Sequence, residues 1–168
     1  MIYISVFIIV IFLLLLLSMV WPPDSPWSPW WRTNKDVARA VCRIGKINKK
    51  DIVFELGSGD GSFLIVASEE FGAKAVGIEI DPLRFYISKF RTALSKLSIR
   101  IYNKNFFDVP LKDATIIYAY LVPKALNRLI PKLKKELKPG TKFISYKYQM
   151  KLKLIKKDLK NELFLYEV

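Results

Sequence analysis

The sequence predicts an α/β domain with a doubly wound, mostly parallel sheet that ends in an antiparallel hairpin and follows one transmembrane helix. Three observations support this prediction. Short apolar runs alternate with segments of helical periodicity, a glycine-rich loop follows the first of these runs, and residues 1–20 carry no charged side chain. Such alternation is typical of a parallel sheet with helices on both faces.

The N-terminal segment 1–20 is the most apolar part of the chain. At about 1.5 Å per residue, a helix of this length spans roughly 30 Å, the thickness of the hydrocarbon core of a bilayer. A cleaved signal peptide would need a basic start, a shorter apolar core and small residues at the cleavage site. No Lys or Arg precedes the run, and Trp21-Pro22-Pro23 follows it, so we expect an uncleaved anchor.

The residues beyond the anchor predict its orientation and a linker. Lys and Arg occur only on the C-terminal side, starting at Arg32, which places the folded domain in the cytoplasm by the positive-inside rule. All four tryptophans and four prolines lie within 21–32. We expect a stiff, extended linker there, part of which could cover the mouth of the domain at 33–168.

Charge and residue usage narrow the function classes. The net charge is +13, and the chain from Lys124 onward has 13 Lys and Arg against 4 Asp and Glu. An anionic partner is therefore expected, most simply the lipid bilayer; nucleic acid is possible but not favoured, because no basic motif interleaved with aromatics is present. The single cysteine, Cys42, and the absence of histidine exclude a disulfide framework and Ser-His or Cys-His catalysis, and no metal site is expected.

Periodicity defines the elements of the domain. A helix starts after Thr33 or Asn34, another follows the glycine loop, and Pro82 opens a third. Pro131 is expected to break the later helical region into two short helices. The predicted apolar side of the third helix is Leu83, Phe85, Tyr86, Phe90, Leu94 and Leu97. The predicted strands are 51–56, 73–80, 98–103, 114–122 and 141–148, followed by a hairpin of 151–157 and 162–168.

The glycine loop FELGSGDGS, at 54–62, indicates a cofactor site, because glycines permit tight turns and close approach of a ligand. A phosphate-binding Walker A loop needs a Lys that is missing here. The dinucleotide fingerprint GxGxxG matches weakly, because its third glycine position holds Ser62.

A third pattern, ExGxGxG, is filled completely and resembles motif I of the class I, seven-β-strand, S-adenosylmethionine-dependent methyltransferases, which have a Rossmann-like fold. This resemblance implies S-adenosylmethionine as the cofactor. It also implies that Glu79, at the end of the second strand, accepts the ribose hydroxyls and that NKNFFD, after the third strand, lies against the adenine. The cofactor-binding residues it implies are Glu55, Gly57, Ser58, Gly59, Asp60, Gly61, Glu79, Asn105, Phe106 and Asp108. Acidic loop residues would oppose a pyrophosphate but suit the cationic methionine end.

A narrower resemblance is carried by SPWWRTNKDVARAV, ELGSGDG, YAYLVP and LIPKLKKELKPG together with the apolar N-terminus. These segments are similar to the membrane-bound protein-lysine methyltransferases that modify the c-subunit of ATP synthase and the adenine nucleotide translocase, and to their prokaryotic relatives. This resemblance implies a lysine acceptor in a membrane-associated protein. Methylation of a lipid, a quinone-like molecule or RNA remains an alternative, as does a catalytically silent binding protein.

A lysine acceptor must lose its proton before it attacks a methyl group. With an unperturbed pKa of about 10.4, deprotonation near pH 7.4 costs on the order of 4 kcal/mol. A partly dry aromatic channel lowers that pKa, because burial disfavours the ammonium. The candidate channel residues, in catalytic roles, are Tyr118, Tyr120 and Pro123, with Trp30 and Trp31 in addition; packing in the sheet is the alternative interpretation of the tyrosines.

Overall fold

The computed structural model describes residues 2–20, 32–95 and 97–168. Its helices are α1 Ile2–Val20, α2 Lys35–Gly45, α3 Ser62–Glu69, α4 Pro82–Leu94 and α5 Pro123–Glu136. Its strands are β1 Ile52–Leu56, β2 Lys74–Glu79, β3 Ile99–Asn103, β4 Ile116–Ala119, β5 Lys142–Tyr146, β6 Leu154–Asp158 and β7 Leu163–Glu167. All predicted strands are present. The Asn34 side chain caps α2 by accepting a hydrogen bond from the Val37 amide at 2.8 Å.

The seven strands form one sheet in the order β3-β2-β1-β4-β5-β7-β6. Strands β1 to β5 are parallel, whereas β7 is antiparallel to both β5 and β6, as the predicted C-terminal hairpin requires. The chain moves outward from β1 to β3 and then returns to place β4 on the other side of β1. The carboxyl ends of β1 and β4 therefore flank the point at which strand order reverses, where open α/β sheets bind ligands.

Helices cover both faces of the sheet, as predicted. On one face, α2 and α3 contribute Val41, Phe63 and Leu64 to a core that also contains Tyr118 of β4. On the other face, α5 packs its leucines against strand residues such as Phe143. These two cores hold β1 and β4 rigid, so the loops at their carboxyl ends are well positioned.

The predicted orientation of α4 is wrong. Its supposed core side includes Tyr86, Phe90 and Leu94, whose side chains are 66%, 67% and 68% exposed. The buried side chains of α4 are the polar Arg84, Ser88 and Thr92.

Close packing against the glycine loop explains the polar buried side of α4. A Cβ placed on Gly61 would lie only 3.4 Å from Ser88 Cβ and Thr92 Cγ2, so there is no space for larger side chains. The Ser88 hydroxyl donates to the Phe85 carbonyl at 3.0 Å, and that of Thr92 to the Ser88 carbonyl at 2.8 Å. Burial of these hydroxyls therefore leaves no hydrogen bond unmade.

The predicted break at Pro131 is also wrong, since α5 continues through it to Glu136. A proline inside a helix costs about 3 kcal/mol. Leu126, Leu129 and Leu133 are fully buried on both sides of that position. Each buried leucine stabilises by roughly 1.5–3 kcal/mol, which together exceeds the proline penalty and keeps one helix.

The N-terminal segment is helical from Ile2 to Val20. Within the part of the chain that the structure describes, however, no helix has both the length and the hydropathy needed to cross a membrane. The predicted transmembrane helix is therefore not supported. The predicted linker, with Trp30 and Trp31, lies outside the described residues apart from Arg32.

Candidate active site

The backbone of the glycine loop is anchored to the end of β2. The amides of Gly57 and Ser58 both donate to the Ile78 carbonyl, at 2.8 and 3.1 Å. Gly57, Gly59 and Gly61 have φ values of 80°, 53° and 75°. Because this left-handed region disfavours residues with a Cβ, the three glycines give the loop a shape that other residues would strain.

The Glu79 carboxylate organises the same loop from β2. Its Oε2 accepts from the Gly59 amide at 2.7 Å and its Oε1 from the Asp81 amide at 3.0 Å. Burial raises the pKa of Glu79, although the two amide bonds act in the opposite direction. The residue predicted to bind the ribose is thus also a support of the loop, placed beside the glycines.

Glu55 has no such partner. Its side chain is buried, and Oε2 makes no hydrogen bond within the described part of the chain; the nearby Ser58 hydroxyl is likewise unpaired. Burial raises the pKa of Glu55 well above its usual range, and the charges of Asp60 and Glu79 raise it further. An unpaired buried carboxylate is costly unless a cation or hydrogen-bond donor reaches it, so the loop fits a ligand that brings one.

Asp60 is held by the protein itself. Its carboxylate forms ion pairs with Arg32, at 2.8 Å, and with Arg91 of α4. It also accepts from the Ser62 amide at 3.1 Å. Asp60 therefore shapes the loop and attaches it to α4. The two arginines were missed by sequence reasoning, because ion pairs between residues about 30 positions apart leave no local pattern.

Gly77 was missed as well, although it had a detectable signal. It interrupts the apolar strand VGIE, and glycine inside a strand often marks a close approach. A Cβ there would lie 2.6 Å from Leu64 Cδ1 and 2.8 Å from Ser58 Oγ. Gly77 thus allows α3 and the loop to lie directly on β2.

The predicted adenine-binding residues follow β3 in one tight loop. The Asn105 side chain accepts from the Phe107 amide at 3.0 Å, and the Asp108 amide donates to the Asn105 carbonyl at 3.0 Å. The Phe106 ring belongs to the core beneath α5, whereas Asp108 is exposed. The loop lies at the same edge of the sheet as Glu79, and contact with adenine stays a prediction.

The three predicted channel residues occupy different environments. Tyr118 is fully buried, its ring is 4.5 Å from that of Phe63, and its hydroxyl is 2.9 Å from Thr33 Oγ1. Tyr118 therefore packs in the core, which is the alternative interpretation of the strand tyrosines. Tyr120 pairs with the ring of Tyr146, and Pro123 is the exposed first residue of α5.

Other nucleophiles and metal ligands offer little at this site. Cys42 is buried in α2, as expected, and burial raises the pKa of its thiol to about 12. Among the described residues, no cluster of three or more metal-ligating side chains occurs.

The strand order, the antiparallel β7, the ExGxGxG loop and the carboxylate after β2 define a class I S-adenosylmethionine-dependent methyltransferase. The family model of the ANTKMT methyltransferase domain matches residues 55–155, and the chain belongs to this family. The resemblance inferred from the motifs is therefore confirmed, as are methyltransferase activity and S-adenosylmethionine as the cofactor.

Individual relatives support this assignment. A protein-lysine N-methyltransferase of Saccharolobus islandicus (strain REY15A) is 36% identical over 79% of this chain and 83% of the relative. The lysine N-methyltransferase of the ATP synthase c-subunit from Mus musculus is 27% identical over 69% of this chain, which spans about half of that relative, 47%. The RNA methyltransferase of Salinibacter ruber, solved with S-adenosyl-L-homocysteine, has a TM-score of 0.78 at 27% identity, covering 82% of this chain and 93% of that one.

Proposed function

We propose that this protein methylates the ε-amino group of a lysine in a membrane-associated protein. The observation that carries this proposal is the 36% identity to a protein-lysine N-methyltransferase over most of both chains. The relatives named for the ATP synthase c-subunit and for the adenine nucleotide translocase, both membrane proteins, support the choice of acceptor.

The residues of the site have separable tasks. When bound, S-adenosylmethionine supplies an electrophilic methyl group. The glycine loop provides backbone groups without obstructing side chains, and Glu79 holds the loop while presenting a carboxylate to the ribose. The unpaired Glu55 carboxylate attracts the positively charged methionine end. Alignment of the acceptor nitrogen with the methyl group then accounts for most of the catalysis.

The acceptor is tested by transfer of a radioactive methyl group from S-adenosylmethionine to washed membranes by the full-length chain. We expect label that is removed by protease and that peptide mass spectrometry assigns to lysine. The Gly57→Arg variant should give no label, because its side chain would enter the loop at a φ of 80°. Label that can be extracted with organic solvent would refute the proposal in favour of a lipid or quinone-like acceptor.

RNA is a second candidate acceptor. The RNA methyltransferase of Salinibacter ruber is similar over most of both chains, and the net charge of +13 would favour a polyanion. In the same experiment, label that is sensitive to ribonuclease and resistant to protease would identify this alternative.

We further propose that α1 attaches the protein to a lipid bilayer and that the domain at 33–168 lies on the cytoplasmic side. The described side chains of α1, from Tyr3 to Leu16, include no charge, and their large apolar groups are exposed. Apolar surface of this kind is stabilised by contact with hydrocarbon. The positive charge of the domain suits the anionic cytoplasmic leaflet.

Carbonate extraction of membranes from expressing cells tests this attachment. The full-length chain should stay in the membrane pellet, whereas the double variant Ile9→Glu, Leu13→Glu should move largely to the supernatant. The control is Ile155→Glu, Leu159→Glu, which places two charges at similarly exposed apolar sites of the domain and should remain in the pellet. Extraction of the unaltered chain would contradict the proposal.

A further inference from the structure

Two tyrosines and one lysine form a small cluster at the ends of β4 and β5. The ring centroids of Tyr120 and Tyr146 are 4.5 Å apart and the rings are inclined by 60°. The Lys147 Nζ lies 5.6 Å from each centroid, so one ammonium contacts both aromatic rings. Cation–π attraction of this kind needs a cation within about 6 Å of the ring centroid.

The cluster lies beside the cofactor loop. Leu56, Ala119 and Ser145 are neighbours in one row across β1, β4 and β5. The next residues are Gly57, Tyr120 and Tyr146, and adjacent strands are about 4.8 Å apart. Consistent with this register, Leu121 Cδ2 is 3.6 Å from the Cβ position of Gly57.

The two rings also lie on the correct face of the sheet. Glu55 is in register with Tyr118, which is in register with Ile144. Because residues two apart in a strand share a face, Tyr120 and Tyr146 lie on the same side of the sheet as the unpaired Glu55. Both rings are partly exposed, so a side chain from another molecule can reach them.

Lys147 reaches the rings from an unusual backbone conformation. Its φ is 66°, in the left-handed region that glycine adopts at much lower cost. The Lys147 amide donates to the Glu162 carbonyl at 2.8 Å, which holds this conformation. A hydrogen bond to Tyr120 raises the pKa of Lys147, with the negative charge of Glu162 as a minor contribution, so the side chain stays charged. Strain at such a position is often retained for a functional reason.

We propose that Tyr120 and Tyr146 form the binding site for the ammonium of the acceptor lysine, and that Lys147 is a resident occupant that the acceptor displaces. This inference rests on the proposed function. The exposed Lys147 side chain is held weakly and can move aside. The acceptor then takes the same place on the rings, next to the glycine loop, before it loses its proton.

Kinetics with a peptide that contains one lysine, taken from the labelled membrane protein, test this inference. Lys147→Met should lower KM about two- to fivefold with kcat unchanged, because the competing cation is gone. Lys147→Arg, which keeps a cation, should resemble the wild type. Tyr146→Leu should raise KM by about tenfold, whereas Tyr146→Phe keeps the ring and should not. An unchanged KM for Lys147→Met, or a fall in kcat instead, would overturn the proposal.

A binding measurement separates failure of this inference from failure of the proposed function. Tetramethylammonium chloride is titrated into the full-length chain and its variants while the tyrosine ring signals are followed by NMR. Lys147→Met should bind this cation more tightly than the wild type, and Tyr146→Leu should bind it more weakly. This result is expected even if the methyl acceptor proves to be RNA. Equal affinity in all variants that keep the wild-type thermal stability would refute the ammonium site itself.

Discussion

Glu79→Ala is expected to weaken S-adenosylmethionine binding more than about a hundredfold and to abolish methyl transfer. Its carboxylate accepts hydrogen bonds from the amides of Gly59 and Asp81. Hydrogen bonds to a charged group contribute about 1.5–3 kcal/mol each, and every 1.4 kcal/mol changes affinity tenfold. The alanine variant loses both bonds and, with them, the fixed loop and the carboxylate for the ribose. Isothermal titration calorimetry with S-adenosylhomocysteine measures the loss.

Two variants separate the charge of Glu79 from other effects. Glu69→Ala removes an exposed glutamate from the end of α3 and should bind the ligand normally. Glu79→Gln keeps the size of the side chain but turns an amide NH₂ toward a backbone N–H, so intermediate affinity is expected. Wild-type affinity of Glu79→Ala would show that the loop is organised without this carboxylate.

Glu55→Gln is expected to stabilise the ligand-free protein at pH 8 while it weakens cofactor binding at least about tenfold. The stability gain should be about 1–2 kcal/mol, or roughly 3–6 °C in Tm, because the uncharged amide is less costly to bury without a partner. The affinity should fall because the cationic end of the ligand loses a negatively charged partner. Glu55 would thus be a residue that favours function at the cost of stability.

The sign of the pH dependence follows from the raised pKa of the Glu55 carboxyl. Folding stability from this group is fully present below its unfolded pKa and is lost as the pH rises through the higher folded pKa. The Tm advantage of Glu55→Gln should therefore be small at pH 4 and full at pH 8. Ligand binding to the wild type should release protons, detectable by calorimetry in buffers of different ionisation enthalpy.

A matched control is Glu167→Gln at the exposed end of β7, which should change neither Tm nor affinity. If Glu55→Gln has the same Tm as the wild type at pH 8, then Glu55 is not an unpaired charge. If its affinity for S-adenosylhomocysteine is also unchanged, the carboxylate does not face the ligand.

The sequence by itself determined the strand order along the chain, the cofactor loop and the carboxylate at the end of β2. These features are encoded in contiguous residues, since a run such as ELGSGDG specifies its own backbone geometry through glycine and the preceding strand. The antiparallel ending was visible for the same reason, because the segments 151–157 and 162–168 alternate locally.

Only the tertiary structure decided which surfaces face inward and which distant residues meet. Periodicity showed that α4 has an apolar side, but the narrow space beside Gly61 selected the polar side for burial. Arg32 and Arg91 meet at Asp60, and Tyr120 meets Tyr146, because the sheet brings separate parts of the chain together. Such contacts depend on packing across elements, which a local pattern does not contain.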